Sequence, residues 1–311
     1  VALAEAPGTA AGAGGARRRA AAFSLGAVPP PALILLGILS LQVGAGIAKH
    51  LFGQLPPSAL VLLRLVTSAA VLAFVSRKAL RTVLRDHSGR SLLVAAGFGL
   101  TLGLMNFAIY QSFSRIPLGI AVTVEFLGPL SVAVFASRRP RDLLWTALAA
   151  AGVLFLARGD GATDLVGIGF ALLAGVCWAG YILLSAATGR RFSGSTGLAI
   201  ASIVATAAVL PMGVASGGSK LLDPHLLLLG LGVGLMSSVI PYSLELEALR
   251  RMPARVFGIL MSLEPAVAAL VGVVLLGEVL SGLQWLAVIC VMAACAGATL
   301  GDKNPPEAPE S

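Results

Sequence analysis

The sequence predicts an all-α integral membrane protein in which ten transmembrane helices form two five-helix halves of opposite orientation. Three observations carry that prediction. The chain is 57% hydrophobic and 12% charged, which is about half the charged fraction of an ordinary soluble domain. Its apolar residues fall into ten runs, most close to the ~20 residues that cross a ~30 Å hydrocarbon core. Its basic residues gather in every second connection, as cytoplasmic segments do. Lipid is therefore the solvent for most of the chain. The net charge of +8 is topological and does not mark a nucleic-acid surface, because the basic residues lie between apolar runs.

Taken in order, residues 1–31 are Ala/Gly-rich and carry Arg17, Arg18 and Arg19 ahead of the first run. They are expected to form a disordered cytoplasmic tail. A signal peptide is the rival reading, but the run at 32–52 is close to a full span and no A-x-A site follows it. The next runs are 58–76, 91–113, 117–137 and a short one at 142–158, which close the first half (32–158). The second half (165–300) holds 165–187, 196–216, 225–246, 254–277 and 282–300. None alternates as a membrane strand must. Residues 301–311 are polar and proline-containing, and are expected to be a disordered cytoplasmic tail. With both ends inside, the outside connections hold only Arg115, Arg158 and Lys220 of the 22 basic residues, and Lys49 and Arg64 lie within spans. The other seventeen are inside.

The halves are related in sequence. Shifted by 136, residues 114–129 (SRIPLGIAVTVEFLGP) overlay 250–265 (RRMPARVFGILMSLEP), pairing Arg115 with Arg251, Pro117 with Pro253 and Pro129 with Pro265. AAVL occurs at 69–72 and again at 207–210. A repeat with an odd number of helices must lie inverted against its partner, an arrangement common in secondary transporters.

The segments IPLGIAVTVEFLGPL (116–130), IPYSLELEALRRMP (240–253) and SLEPAVAALVGVVLLGE (262–278) resemble the EamA family of the drug/metabolite transporter superfamily. The first two are most similar to its threonine and homoserine exporter branch. The resemblance spans roughly residues 32–300. It implies ten helices in two EamA repeats, an inner (cytoplasmic) membrane location and export of small amino acids.

Ionisable groups inside spans are costly and therefore informative. Glu125 lies ~12 Å into the fourth run at 1.5 Å per residue. Pro129, four residues on, cannot donate to its carbonyl, so Glu125 combines a carboxylate with an expected kink. Its alternative is a purely structural, neutralised glutamate. Glu264 is at similar depth in the ninth run, directly before Pro265, and matches Gly128 across the repeat, not Glu125. Glu278, at the outer boundary, suits a solvated or capping role. Arg64, ~9 Å into the second run, either snorkels outward, holds a substrate carboxylate or pairs with a membrane glutamate. Lys49 is expected to snorkel. Glu247 suits pairing with Arg250 and Arg251, while Glu245 faces a cytoplasmic vestibule. Asn106 and Tyr110 share a helix face as candidate pocket lining. Trp178 and Tyr181 serve either a pocket or packing. Gly99/Gly103 and Gly230/Gly234 are spaced for close helix contacts. Cys177, Cys290 and Cys295 suit small buried positions.

Other chemistries lack their residues. GVASGGSK (213–220) is followed by Leu221, where a phosphate-binding loop needs Ser or Thr. His50, His87 and His225 are scattered, so no metal site, cofactor or catalytic residue is expected, and no nucleic-acid partner. A membrane enzyme would need a convergent nucleophile or metal constellation. A sensor or structural membrane protein would not need acids at mid-depth. The expected function is proton-coupled, alternating-access export of a small amino acid across the bilayer, threonine and homoserine first. Export of a purine, an aromatic amino acid or a drug is the alternative. Glu125 is the first candidate for carrying the proton and meeting the substrate ammonium. Glu264, Arg64, Asn106, Tyr110, Glu245 and Tyr181 are the further candidates.

Overall fold

The computed structural model describes residues 28–86, 89–137, 142–157, 164–192 and 195–301. Among these residues every regular element is helical. The first half contains α1 (Pro30–His50), α2 (Pro57–Val75), α3 (Arg77–Asp86), α4 (Gly89–Phe113), α5 (Leu118–Glu125), α6 (Leu127–Ser137) and α7 (Asp142–Ala157). The second contains α8 (Leu165–Gly189), α9 (Thr196–Gly217), α10 (Pro224–Gly234), α11 (Ile240–Leu249), α12 (Ala254–Met261), α13 (Glu264–Leu276) and α14 (Gly282–Gly301). The tails expected to be disordered fall mostly on 1–27 and 302–311, outside the described residues. So do 138–141 and 158–163, with Arg138, Arg139, Arg141 and Arg158.

Nine helices among the described residues are long and apolar enough to cross a membrane, three of them made of two joined α-helices. The expected fifth span is described over the 16 residues of α7 (Asp142–Ala157), which lies against α14. Large apolar side chains such as Phe135 and Val274 stand more than four-fifths exposed, as they do on a surface wetted by lipid.

Proline and glycine set the local shape. Pro30, Pro57 and Pro224 each occupy the first turn of a helix, where a missing N–H costs nothing. Pro211 lies inside α9, and three further prolines stand where a span is broken, each leaving a carbonyl four residues earlier without its helical donor. Pro129 does so to Glu125, where α5 gives way to α6. Pro265 does so to Met261, where α12 ends before α13. Pro241 does so to Ser237, inside a π-helical turn (Leu235–Val239) joining α10 to α11. The first two breaks match across the 136-residue shift; the π turn was not expected. A second departure is α3, read from sequence as a connection. Arg77, Lys78 and Arg81 are exposed on it while Val83 is buried, so this basic, one-sided helix packs on the ends of α2 and α9.

The two halves interlock more than they pack within themselves. α4 lies on α8 and α9, α2 on α9 and α10, α1 on α11 and α13, and α5 on α13. Small residues allow the approach. Gly99 and Gly103 meet Ala201 and Ala205 of α9, and Gly230 and Gly234 meet Leu63 and Thr67 of α2, so both glycine pairs make the close contacts their spacing predicts. Cys177 and Cys295 are buried and Cys290 partly so.

Candidate functional site

The helix breaks meet at one cavity between the halves. Its wall takes Gln42 from α1, Arg64 from α2, Asn106 from α4, Glu125 from α5, Trp178 and Tyr181 from α8, Tyr242 and Glu245 from α11, Met261 from α12 and Glu264 from α13. Six of the seven sequence candidates therefore converge. Tyr110 is the seventh. It is fully buried and stands behind the cavity wall, its ring centroid 5.6 Å from the Arg64 guanidinium carbon, within cation–π range.

Arg64 does not snorkel. Only 8% of it is exposed, and its guanidinium crosses to the π turn. There Nε donates to Ser238 Oγ (3.2 Å) and Nη2 to the Ser237 carbonyl (2.9 Å). That carbonyl is the one Pro241 cannot serve. Ser40 Oγ of α1 donates to the neighbouring Met236 carbonyl (2.8 Å). The irregular turn is thus satisfied by both helices facing it, which fixes the guanidinium beside the cavity. Such π turns recur at functional sites.

Glu125 ends α5 and is 9% exposed. Among the described residues no hydrogen bond or ion pair engages its carboxylate, although the field of Arg64 reaches it. The backbone at the break is held by α8: a Cβ on Gly175 would sit 2.8 Å from the Glu125 carbonyl oxygen. Gly128 packs equally hard on the backbone of Gly175. This explains why Glu264, which occupies the equivalent place in the second half, has no acidic counterpart: α8 leaves no room for a side chain at 128. Met261, the equivalent of Glu125, faces the same cavity as an apolar residue.

Glu264 is 4% and Gln42 2% exposed. Gln42 Nε2 donates to Glu264 Oε1 at 2.9 Å, while Gln42 Oε1 and Glu264 Oε2 are buried without a partner. An unmet buried acceptor costs roughly 1–3 kcal/mol. Asn106 turns its amide N–H to the Leu102 carbonyl of its own helix (2.9 Å). Trp178 packs edge-on against Phe126, with ring centroids 4.9 Å apart, and Tyr181 against Phe98 at 5.0 Å. Trp178 and Met261 are shared with a second pocket, largely apolar, that includes Phe126, Pro129, Phe257 and Cys295. It lies toward the C-terminal end of α6 and the N-terminal end of α12.

The other end is fastened. Gly277, at φ +68°, terminates α13 in the left-handed conformation that glycine adopts without strain. The Glu278 N–H then returns to the Gly272 carbonyl (3.1 Å), closing the helix end. This turn aims Glu278 at the start of α5, where Oε2 accepts from the Leu118 N–H (2.9 Å). Its Oε1 lies 2.6 Å from Lys49 Nζ, and Lys49 also donates to the Ile116 carbonyl (2.7 Å). Lys49 is therefore paired where snorkelling was expected, and Glu278 takes the capping alternative. Glu247 lies 3.8 Å from Arg250 and 3.9 Å from Arg251, the interfacial pairing its position predicts.

Gln42 and Tyr242 are the wall residues the sequence reading passed over. Gln42 is the polar side chain buried in the middle of α1. Tyr242 directly follows Pro241. An uncharged amide and a phenol give weaker sequence signals than an acid, but proline was the available cue at 242.

Comparison with known proteins gives the cavity its context. Residues 165–300 match the EamA-like transporter family. The chain is 41% identical over 282 residues to the threonine/homoserine exporter RhtA of Salmonella typhimurium (strain SL1344), covering 89% of this chain and 94% of that protein. It is 41% identical over 275 residues to RhtA of Escherichia coli K12, covering 87% and 91%. A solved crystal structure shares the fold with a TM-score of 0.58 at 20% identity, over 86% of this chain and 96% of that one.

Proposed function

The chain belongs to the EamA-like transporter family, and from that premise we propose that it exports small amino acids, threonine and homoserine first, by proton-coupled alternating access. Membership in a family of carriers makes it a transporter and not an enzyme. The cargo follows the relatives, which are named as threonine/homoserine exporters and match nearly end to end.

The observation that carries the reading is the charge of the cavity wall. Three carboxylates, Glu125, Glu245 and Glu264, face one guanidinium, Arg64. A zwitterionic amino acid adds one charge of each sign and so leaves that imbalance untouched. Protonation of an acid reduces it, and Glu125 and Glu245 are the two without a hydrogen-bond or ion-pair partner among the described residues; Glu125 is the one that the field of Arg64 reaches. Arg64, already fixed by Ser237 and Ser238, is placed for the substrate carboxylate.

The same reading takes 32–158 and 165–300 as inverted repeats with ten crossings, α7 completing the first. The matched breaks at Glu125 and Met261 and the alternation of basic connections support it. On that orientation both termini are cytoplasmic, the Lys49–Glu278 fastening is external, and the apolar pocket lies on the cytoplasmic side of the cavity. The state described is then closed outward, as an exporter loading its cargo must be.

The test uses proteoliposomes loaded with labelled threonine, homoserine or an unrelated metabolite, with and without an imposed proton gradient, acid outside. Selective efflux of the first two, accelerated by the gradient, is the expected result. Absence of selective efflux rejects the cargo. Selective efflux indifferent to the gradient rejects the proton.

A further inference from the structure

We infer that Gln42 and Glu264 together form the subsite for the substrate's primary ammonium group, with Gln42 as a specificity-determining residue. The inference rests on the reading that the cavity carries an amino acid, and it shifts the ammonium from Glu125 to Glu264.

The argument starts from atoms without partners. The Gln42 amide N–H is used in holding Glu264 Oε1 at 2.9 Å. The atoms of the pair with no partner at all are one amide oxygen and one carboxylate oxygen, Gln42 Oε1 and Glu264 Oε2, both buried, on two residues that line the same cavity. Both are acceptors, so the missing ligand is a donor. An anion or a carbonyl would leave them unmet. A primary ammonium brings three N–H donors and a positive charge, which satisfies the pair and neutralises Glu264.

Contacts separate the roles of the acids. The Gln42 N–H donates to Glu264 Oε1 and so holds this carboxylate as an acceptor for a cation. The Glu125 carboxylate has no such donor among the described residues, so taking up a proton there breaks no protein contact. Arg64, bound to the π turn on the α2 side, meets the other end of the zwitterion.

The inference predicts recognition by amino group. In full-length protein reconstituted in proteoliposomes, labelled-threonine counterflow is competed by threoninol, which keeps the ammonium and lacks the carboxylate. It is also competed by 2,3-dihydroxybutyrate, which keeps the carboxylate and lacks the amine. Wild type should prefer the amine-bearing competitor. Gln42→Met should shrink that preference by about tenfold or more, the size of a lost hydrogen bond to a charged group, and raise the threonine KM more than it lowers the maximal rate. Glu264→Gln should shrink it further, while Gln42→Asn should retain part of it. Ratios of competitors within one variant are insensitive to how much protein folds. An unchanged preference in Gln42→Met and Glu264→Gln overturns the inference. So does a Glu264→Gln variant that keeps the preference and loses only its response to the proton gradient. If wild type moves no amino acid at all, the cargo reading fails first and the subsite falls with it; if wild type transports and the preference is absent, the subsite alone is wrong.

Discussion

Glu125, Glu264 and Arg64 line one cavity, yet the surroundings of each assign different work. Arg64 has two fixed acceptors on the π turn, so its position is set before any substrate arrives. Glu264 has one fixed donor. Glu125 has no hydrogen-bond partner among the described residues, and its carboxylate is free to gain and lose a proton without breaking a protein contact. Glu125→Gln keeps the shape and removes that freedom. Gradient-driven threonine efflux should then fall by about tenfold or more, a change of ~1.4 kcal/mol per decade. Counterflow without a gradient should persist. Parallel measurement of the two modes decides it; efflux at the wild-type rate across the gradient would remove Glu125 from the coupling. These acids were legible in the sequence because an ionisable residue in a span is rare. Gln42 was not, because a neutral amide is tolerated in a helix for many reasons and its partner lies 222 residues away.

At the scale of elements, three prolines break three helices, and each break is made useful by a neighbour. The α5–α6 break lies on Gly175 of α8, and the π turn is satisfied by α1 and α2. Backbone proximity is the condition for all of this. Gly119 of α5 shows how tight it is: a Cβ there would come within 2.5 Å of Ala269 Cα and 2.6 Å of its Cβ on α13. Gly119→Val should therefore lower the stability of the purified protein by roughly 1–3 kcal/mol through overpacking, read as a fall in the thermal midpoint. Gly97→Ala in α4, where nothing lies within 4 Å, should be neutral or raise it, since alanine is favoured over glycine in a helix by about 0.5–1 kcal/mol. Equal effects at both positions would contradict the packing account. The breaks at Pro129 and Pro265 were readable from the local rule that proline donates no hydrogen bond. The π turn follows the same rule at Pro241, but which irregular geometry results depends on the groups supplied by α1 and α2.

Across the whole molecule, the cavity lies between a fastened end and an apolar pocket. Lys49, Glu278 and the start of α5 join elements from both halves at one point, so opening that end requires this cluster to part. Glu278→Gln removes the ion pair and weakens the cap. In a background lacking Cys177, Cys290 and Cys295, a cysteine at the cavity residue Ile109 (Ile109→Cys) should react several-fold faster with a membrane-impermeant external thiol reagent when Glu278→Gln is present, as a shift of ~1 kcal/mol in a two-state equilibrium produces. Unchanged reactivity would show that the cluster does not hold that end of the cavity closed on the proposed orientation.

Composition, hydropathy and the placement of basic residues determined by themselves that this chain lives in lipid as a set of long apolar helices. The prolines placed its breaks, and the scarcity of charge inside spans named its acids and its arginine. These are local properties, fixed by transfer free energy and backbone chemistry residue by residue. The burial of Tyr110 behind Arg64, the pairing of Lys49 with Glu278 and that of Gln42 with Glu264 were decided only by the tertiary structure. Each depends on the rotation of a helix about its axis and on contact with the opposite half. That rotation is set by small-residue packing between elements far apart in sequence, which no single span encodes.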